Sequence, residues 1–225
     1  MKTKALIFTV MAALMLIGGL LINPEAALAD TYYIGVPNTA ISTYAGPYAQ
    51  LDVTLVDSTH ADIAITSLTN GNLLYLLGDG SSIALNIAGT PSIVGGIGGI
   101  TGSNSYPGFT PGPLTGITSG KVDGLGSYNL VVDGFDGYTH SFTSLSFEVA
   151  SSGVNWTDAS QVLVDNLKGY FAANHIFVAD VNNLGDGALA TGYAANGGSP
   201  VPIPAAIWIF ASGLVGLIGI RKRIG

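Results

Sequence analysis

The residues of this sequence best suited to chemistry are aspartates that stand beside glycine in three short segments, at 78–80, 133–137 and 182–187. Ca²⁺ takes oxygen ligands, and an Asp-Gly turn can supply a carboxylate and a backbone carbonyl together. The same dipeptide is common in ordinary turns, and none of the segments has the spacing of an EF-hand loop. We therefore expect turns at all three places. If one of them holds Ca²⁺, Asp133 and Asp136 are the candidate ligands, and the sequence indicates no other cofactor.

Other catalytic or metal-binding patterns are missing from the sequence. The chain has no cysteine, and His60, His140 and His175 are isolated from one another, which argues against a zinc site. The Gly-x-Ser-x-Gly turn that presents a serine nucleophile does not occur. Glycoside hydrolysis needs two acids that face one cleft. Glu148 is the only glutamate between residues 30 and 199, and its place late in a regular strand predicts a surface residue. We expect no catalytic residues.

Four aromatic residues are candidates for stacking on sugar rings: Tyr106, Phe109, Tyr138 and Trp156. An aromatic side chain of this kind serves equally well in a core or at the edge of a sheet, because it buries a large apolar area. We favour packing for these four residues.

The elements that must position these residues are short β-strands. In LDVTLVD (51–57) and ADIAITSL (61–68) apolar and polar residues alternate, and SFTSLSFEV (141–149) repeats the pattern. The segment 72–89 contains two apolar runs joined by Gly-Asp-Gly-Ser, which predicts a hairpin. Short strands separated by turns of Gly, Asp and Asn predict an all-β fold, a β-sandwich or jelly roll, for residues 30–199.

Two segments of this region have less regular patterns. Residues 95–126 are rich in glycine and proline, which fits either a long flexible loop or glycine-permitted turns within a sheet; we expect the loop. Residues 158–171 place apolar residues such as Leu167 at helical spacing, and Asp158 is a suitable N-cap. The apolar run 162–164 fits a strand equally well, so both helix and strand remain open for this segment.

Charge is distributed unevenly along the chain. Of the seven Lys and Arg, five lie near the two ends, and of the fourteen Asp and Glu all but Glu25 lie between residues 30 and 199. With two lysines against thirteen acids, that span has a net charge of −11. A domain this acidic repels nucleic acid and anionic lipid surfaces, so we expect no nucleic-acid partner. The acidity favours solubility first and binding of divalent cations second.

The first 29 residues have the three parts of a secretory signal peptide. Two lysines form a positively charged start, residues 5–22 are almost entirely apolar, and the small residues Ala27 and Ala29 flank one larger residue. The pattern predicts export from the cytoplasm. Signal peptidase is expected to cut after Ala29, which leaves residues 30–199 as the exported domain.

The C-terminal segment, residues 200–225, also has three parts. It begins with a proline motif made of Val201, Pro202, Ile203, Pro204 and Ala205. Residues 205–220 carry no charge, and as a helix they would extend about 24 Å, which is short but usable for crossing a bilayer core. The segment ends with a basic group that stops transfer and stays cytoplasmic, Arg221, Lys222 and Arg223. The sequence therefore predicts a C-terminal transmembrane helix.

This C-terminal segment resembles the PEP-CTERM sorting signal, in the variant whose core is Val-Pro-Leu-Pro-Ala. The shared features are the proline motif, a short helix containing Trp208, the glycines around Gly213 and the basic end. Ile203 stands where the family more often has Leu or Glu. The resemblance implies recognition of residues 201–205 by exosortase, a membrane-embedded cysteine transpeptidase of Gram-negative bacteria, and an association with extracellular polysaccharide and biofilm. The block 126–137 and the glycine-rich end of the exported domain are also similar to domains that carry this signal.

Together these patterns predict a non-enzymatic exported protein. The precursor is expected in the inner membrane, where exosortase processes it, and the mature protein at the cell surface or outside the cell. Its expected role is structural or adhesive, as a component of an extracellular polysaccharide matrix. One alternative is a carbohydrate-binding module, with or without Ca²⁺. A secreted hydrolase is the third and weakest candidate.

Overall fold

The computed structural model describes residues 28–102, 111–117, 119–134 and 137–197. Within them the chain forms fourteen strands and four short 3₁₀ helices, and no α-helix. The strands are β1 (Ala29–Pro37), β2 (Ala49–Leu55), β3 (His60–Ser67), β4 (Thr69–Asn70), β5 (Leu73–Leu77), β6 (Ile83–Leu85), β7 (Thr90–Gly102), β8 (Leu114–Ile117), β9 (Gly120–Val122), β10 (Gly126–Tyr128), β11 (Leu130–Gly134), β12 (Phe142–Ser152), β13 (Ala172–Asp180) and β14 (Ala190–Asn196). The 3₁₀ helices are Thr39–Ile41, Tyr138–His140, Ala159–Gln161 and Leu184–Asp186. The predicted all-β class is confirmed for these residues.

Twelve of the strands belong to one large antiparallel sheet, and β9 pairs only with β10. Pairing runs in the order β5-β12-β3-β2-β1-β14-β13, and β5 pairs with β13 as well, so that the seven strands form a closed circuit of neighbours. Strand β7 continues outward from β12. On the side of β13, strands β6, β11 and β8 follow one another. The β7 and β8 ends of this arrangement are therefore sheet edges.

Apolar and polar residues alternate along the strands, and the apolar residues form the main core, as the sequence predicts. In β2 and β3 the side chains of Leu51, Val53, Ile63 and Ile65 are fully buried, while the residues between them are more exposed. Strand β12 buries Leu145, Phe147 and Val149 in the same way. Successive side chains of a strand point to opposite faces, so one face of each strand lies in the core and the other lies outside.

Strand β13 differs because both of its faces are covered. Its residues Ala172 to Ala179 are all buried. One face belongs to the main core. On the other face the hairpin β9–β10 packs Val122, Leu125 and Tyr128 against Ala173. Further along the same face, Leu184 of a 3₁₀ helix packs with Phe177. The near-continuous apolar run of β13 is therefore typical of a strand that is buried on both faces.

The hairpin predicted for residues 72–89 does not form. Strands β5 and β6 occur there, but they do not pair with each other. Both lie along the same edge of β13, with β5 opposite Ile176–Asp180 and β6 opposite Ala172–Asn174. The Gly-Asp-Gly-Ser sequence is the loop between these two pairings, and Asp79 and Ser81 adopt left-handed φ values of 66° and 53° in it.

The segment 158–171 is neither a regular helix nor a strand. Asp158 does cap a helix, since its side chain accepts from Ser160 N, but this helix is one 3₁₀ turn. Leu163 then makes a single bridge to Ile87, and Leu167 is fully exposed. The expected apolar helical face is absent because no long helix forms between 158 and 171.

The flexible loop expected for residues 95–126 is also wrong for the described part of that segment. Strand β7 runs through Gly102, and β8, β9 and the start of β10 follow after residue 113. The alternative, glycine-permitted turns within a sheet, is seen at Gly124, which has a φ of 75° in the turn between β9 and β10. In β7, by contrast, the glycines permit irregular backbone within a strand. Gly95, Gly96 and Gly99 have positive φ values of 69°, 100° and 60° inside β7.

The predicted processing segments lie almost entirely outside the described residues. Ala27, the proline motif 201–205, the apolar run 205–220 and the basic residues 221–223 are among them. Ala29 is described and is the first residue of β1, where it pairs with Thr54 of β2. No helix within the described residues is both long enough and apolar enough to cross a membrane.

Candidate functional site

Two carboxylates of neighbouring strands stand directly opposite each other on the outside of the sheet. The register of β12 and β3 pairs Glu148 with Asp62. Their neighbours Phe147 and Ile63 are buried in the core, so the two acids face outward. Directly opposed side chains in an antiparallel pair have Cβ atoms about 4.5–5.5 Å apart. Both acids line a groove of about 440 Å³, which we call the acidic groove.

The acidic groove is open because most of the residues that β7 contributes to its lining are glycines. Gly95, Gly96 and Gly98 line it together with Ser146 of β12. The pairing of β7 with β12 is irregular at three points, as expected for a strand with bulges. At Gly99 a Cβ atom would lie 2.5 Å from the Ser146 hydroxyl, so the close approach of the two strands requires glycine there.

The charged side chains among the described residues that line the acidic groove are both negative. A third acid on this face, Asp52, accepts hydrogen bonds from Thr31 Oγ1 at 2.6 Å and from Gln50 Nε2 at 2.9 Å. Among the described residues, no comparable side-chain donor reaches Asp62 or Glu148. The described residues contain two lysines, Lys121 on β9 and Lys168 in a turn, and neither lies on β2, β3, β7 or β12. The arrangement therefore favours a cation, a cationic group or hydroxyl donors.

The sequence did not single out this site. Glu148 was expected at the surface, and it is half-buried in the wall of the acidic groove. Asp62 was not recognised as a candidate. Alternation predicts that each acid faces outward, but only the register of β3 against β12 brings them together.

The opposite side of β7 borders a second, apolar groove of about 430 Å³. Ile93 and Ile97 of β7 line it with Leu114 of β8 and Leu130 of β11. The described residues that line it include none with a charge. It lies where the two sheet edges approach each other, and its larger side chains are the margin of the main core.

The structure brings two of the three acid-and-glycine segments together. Asp133 Oδ1 accepts a hydrogen bond from Ser81 N, and Gly134 N donates to Asp79 O at 3.3 Å. Asp133 thus holds the loop between β5 and β6 against the end of β11, and a turn-stabilising role explains its carboxylate. Asp136, its proposed partner in Ca²⁺ binding, lies outside the described residues.

The third segment, 182–187, is organised by the aspartate that precedes it. Asp180 Oδ1 accepts from Asn182 N at 2.9 Å, and this hydrogen bond lowers the pKa of Asp180. In the described ranges no group of three or more His, Asp or Glu side chains is arranged to hold a metal ion. Of the turns expected at the three segments, the one at 78–80 forms, whereas Asp133 and Gly134 end strand β11 and residues 184–186 form a 3₁₀ helix.

Buried His175 is satisfied by two hydrogen bonds, as predicted for an isolated histidine. Its Nδ1 lies 2.7 Å from Gly78 O, so Nδ1 carries the proton and donates. Its Nε2 then accepts from Thr191 Oγ1 at 3.0 Å. Burial lowers the pKa of His175 below its usual value of 6.5. The ring is a neutral link between β13, β14 and the 78–82 loop.

A second histidine, His60, is only partly buried. Its Nδ1 lies 2.9 Å from Asp57 Oδ1 in the turn before β3. The Thr59 backbone N–H and the His60 side chain hold the pKa of Asp57 at about 2. This pair stabilises the turn between β2 and β3 and faces solvent.

Packing, which we favoured for the aromatic candidates, is confirmed for two of them. Trp156 is buried in the main core. Tyr138 packs edge-on against Phe177, with ring centroids 5.6 Å apart. The other two, Tyr106 and Phe109, lie outside the described residues. Tyr33, which the sequence did not single out, is 54% exposed on the same outer face as Asp52.

The described residues thus define an all-β protein with a large antiparallel sheet and a negatively charged groove on its outer face. Comparison of the chain with protein-family models, with curated proteins and with solved structures found no match.

Proposed function

We propose that this chain is a non-enzymatic exported protein that is sorted through its C-terminal segment and becomes part of an extracellular polysaccharide matrix. The observation that carries the proposal is the order of features after residue 200: the Val-Pro-Ile-Pro-Ala motif, an uncharged run of helix-forming length and three basic residues. The signal-peptide pattern and the acidity of residues 30–199 support export of the region between the two ends.

Mass spectrometry of the mature C-terminus tests the sorting proposal. In a Gram-negative host with exosortase, the mature protein is expected to end near Pro204 or Ala205, free or with an added group. Pro204→Ala should leave the precursor uncut. Pro200→Ala, which changes a proline just outside the motif, is the matched control and should be processed normally. An intact chain through Gly225 in this host would contradict the proposal.

We also infer that the sheet is folded into two packed layers, as in a β-sandwich or jelly roll. The main core supports this, because it combines inward residues of β2, β3 and β12 with those of β6, β11 and β13. The closed circuit of strand neighbours is compatible with this, because a sheet that pairs back on itself must curve around its core.

A second candidate function is recognition of matrix polysaccharide at the acidic groove. The observation that favours it is the open groove with Asp62, Glu148 and the Ser146 hydroxyl in its lining, next to a hydroxyl-rich outer face. Carboxylates and hydroxyls at fixed spacing on a rigid sheet are suited to hydrogen bonding with sugar hydroxyl or amino groups. This function is compatible with the structural role and would explain how the protein is retained.

An array of matrix polysaccharides, read with and without EDTA, tests this candidate. Asp62→Asn and Glu148→Gln should each weaken binding, whereas Asp165→Asn, which removes an exposed acid away from the groove, should not. Binding that survives EDTA would exclude a required Ca²⁺. If every polysaccharide fails to bind, or if the groove variants bind normally, recognition at this groove is wrong. If the protein hydrolyses a glycan and Glu148→Gln abolishes that hydrolysis, the result would instead support the secreted-hydrolase hypothesis.

A further inference from the structure

A fully buried asparagine lies near the start of β13. Asn174 is 0% exposed, and neither its Oδ1 nor its Nδ2 has a hydrogen-bond partner among the described residues. Ala172 and Ile176, its neighbours on the same face of the strand, belong to the main apolar core. An amide left without partners in such a place destabilises the fold, because it loses its hydrogen bonds to water on burial. Natural cores rarely tolerate this, so the group requires an explanation.

A second buried amide with a free donor lies nearby in β14. Asn196 is 1% exposed, and its Oδ1 accepts hydrogen bonds from Phe171 N and Ala172 N, both at 2.9 Å. Two N–H donors therefore fix which side-chain atom is oxygen. Its Nδ2 consequently carries the donor hydrogens, and Nδ2 has no acceptor in the part of the chain that the structure describes.

The strand register makes these two amides diagonal neighbours on one face. Asn174 stands opposite Ala194, two residues before Asn196. Such a diagonal corresponds to about 7 Å between Cβ atoms. The other diagonal joins Ala172 and Ala194, which contribute only methyl groups. Because both flanking residues are small, the space between the two amides is not filled by side chain from β13 or β14.

We propose that Asn174 and Asn196 bind ordered water inside the core. A water molecule between them accepts a hydrogen bond from Asn196 Nδ2 and donates one to Asn174 Oδ1. Such a water molecule makes a hydrogen bond of about 2.8 Å to each of the two amides. Buried waters typically serve polar groups that the protein itself leaves unpaired. The water links β13 to β14 by side chains, in addition to the backbone ladder.

A high-resolution crystal structure of the full chain tests the proposal directly. We expect a water oxygen within hydrogen-bond distance of Asn196 Nδ2 and of one amide atom of Asn174. A dry space between the two side chains, or a direct hydrogen bond from one amide to the other, would overturn it.

Thermal denaturation of an isosteric pair tests the same site in solution. Thr and Val have the same shape, so Asn174→Thr and Asn174→Val differ in a hydroxyl and not in volume. If water is present, the hydroxyl bonds to it, and the Thr variant should melt about 2–8 °C above the Val variant. In a dry site the unpaired hydroxyl is a penalty, and the order reverses.

The matched control lies on the same face of the same strand. Val178 is fully buried in the main core. Val178→Thr introduces a hydroxyl without a water partner, so it should melt below the wild type. An Asn174→Val variant that melts at or above Asn174→Thr, with Val178→Thr behaving as expected, would show that the site is dry and the proposal wrong.

Discussion

Strands β13 and β7 show how differently two long strands of one sheet can be used. Residues Ala172–Ala179 of β13 are buried on both faces, and the strand pairs with three neighbours. Strand β7 has thirteen residues, pairs only with β12, and exposes most of its side chains. Both of the grooves described above border β7. Cover on both faces makes β13 a packed centre. The glycines of β7, in contrast, leave open grooves on both sides of that strand.

The largest expected effect comes from truncating an isoleucine to alanine in each of the two strands. Ile176 of β13 is fully buried and Ile100 of β7 is 37% exposed. Ile176→Ala should lower the free energy of unfolding by about 2–5 kcal/mol, because it leaves a cavity. Ile100→Ala should cost less than about 1 kcal/mol. Equilibrium unfolding in urea measures both, and equal losses would show that β7 is as tightly packed as β13.

The next largest effect is expected from the backbone of β7. Gly99 has a φ of +60° and no room for a Cβ beside Ser146, so Gly99→Ala should destabilise by about 1–2 kcal/mol. Gly98→Ala is the matched control, since its nearest neighbour would be Ser146 O at 4.0 Å and its φ is not positive. A neutral Gly99→Ala variant in urea unfolding would mean that the irregular backbone of β7 is not a requirement.

A pH titration of stability tests the burial of His175 in β13. Its pKa in the folded protein is below 6.5, so the unfolded state binds more protons as the pH falls through that value. The contribution of His175 is therefore complete above about pH 6.5 and is lost below it. His175→Gln should remove this part of the pH dependence between pH 5 and 8, and His60→Gln should retain it. Identical profiles for the wild type and His175→Gln would contradict the prediction.

The smallest effect is expected at the acidic groove. Like charges directly opposite on two strands are destabilising, so Asp62→Asn should raise the free energy of unfolding by about 0.2–1 kcal/mol at low salt. The gain should shrink at high salt because the charges are screened. Asp165→Asn serves as the control for a general loss of charge. A salt-independent gain would mean that the repulsion between Asp62 and Glu148 is not its cause.

The elements predicted best are those in which local pattern and final environment agree. Leu51, Val53, Ile63 and Ile65 alternate with polar residues, and all four lie in the core. The predictions failed where the partner of a segment is distant in sequence. Residues 72–89 have the composition of a hairpin, but β13 supplies the pairing edge for both halves. In β7 the glycines carry no hydrophobic period, so a strand there could not be recognised.

The sequence by itself determined the all-β class, which strand faces are apolar, and the acidity of the region between residues 30 and 199. These properties are local, because a strand exposes alternate residues to opposite sides whatever its partner is. Only the tertiary structure decided that Asp62 meets Glu148 and that Asn174 stands diagonal to Asn196. Such juxtapositions depend on register between strands far apart in the chain, and the local pattern of neither strand contains that register.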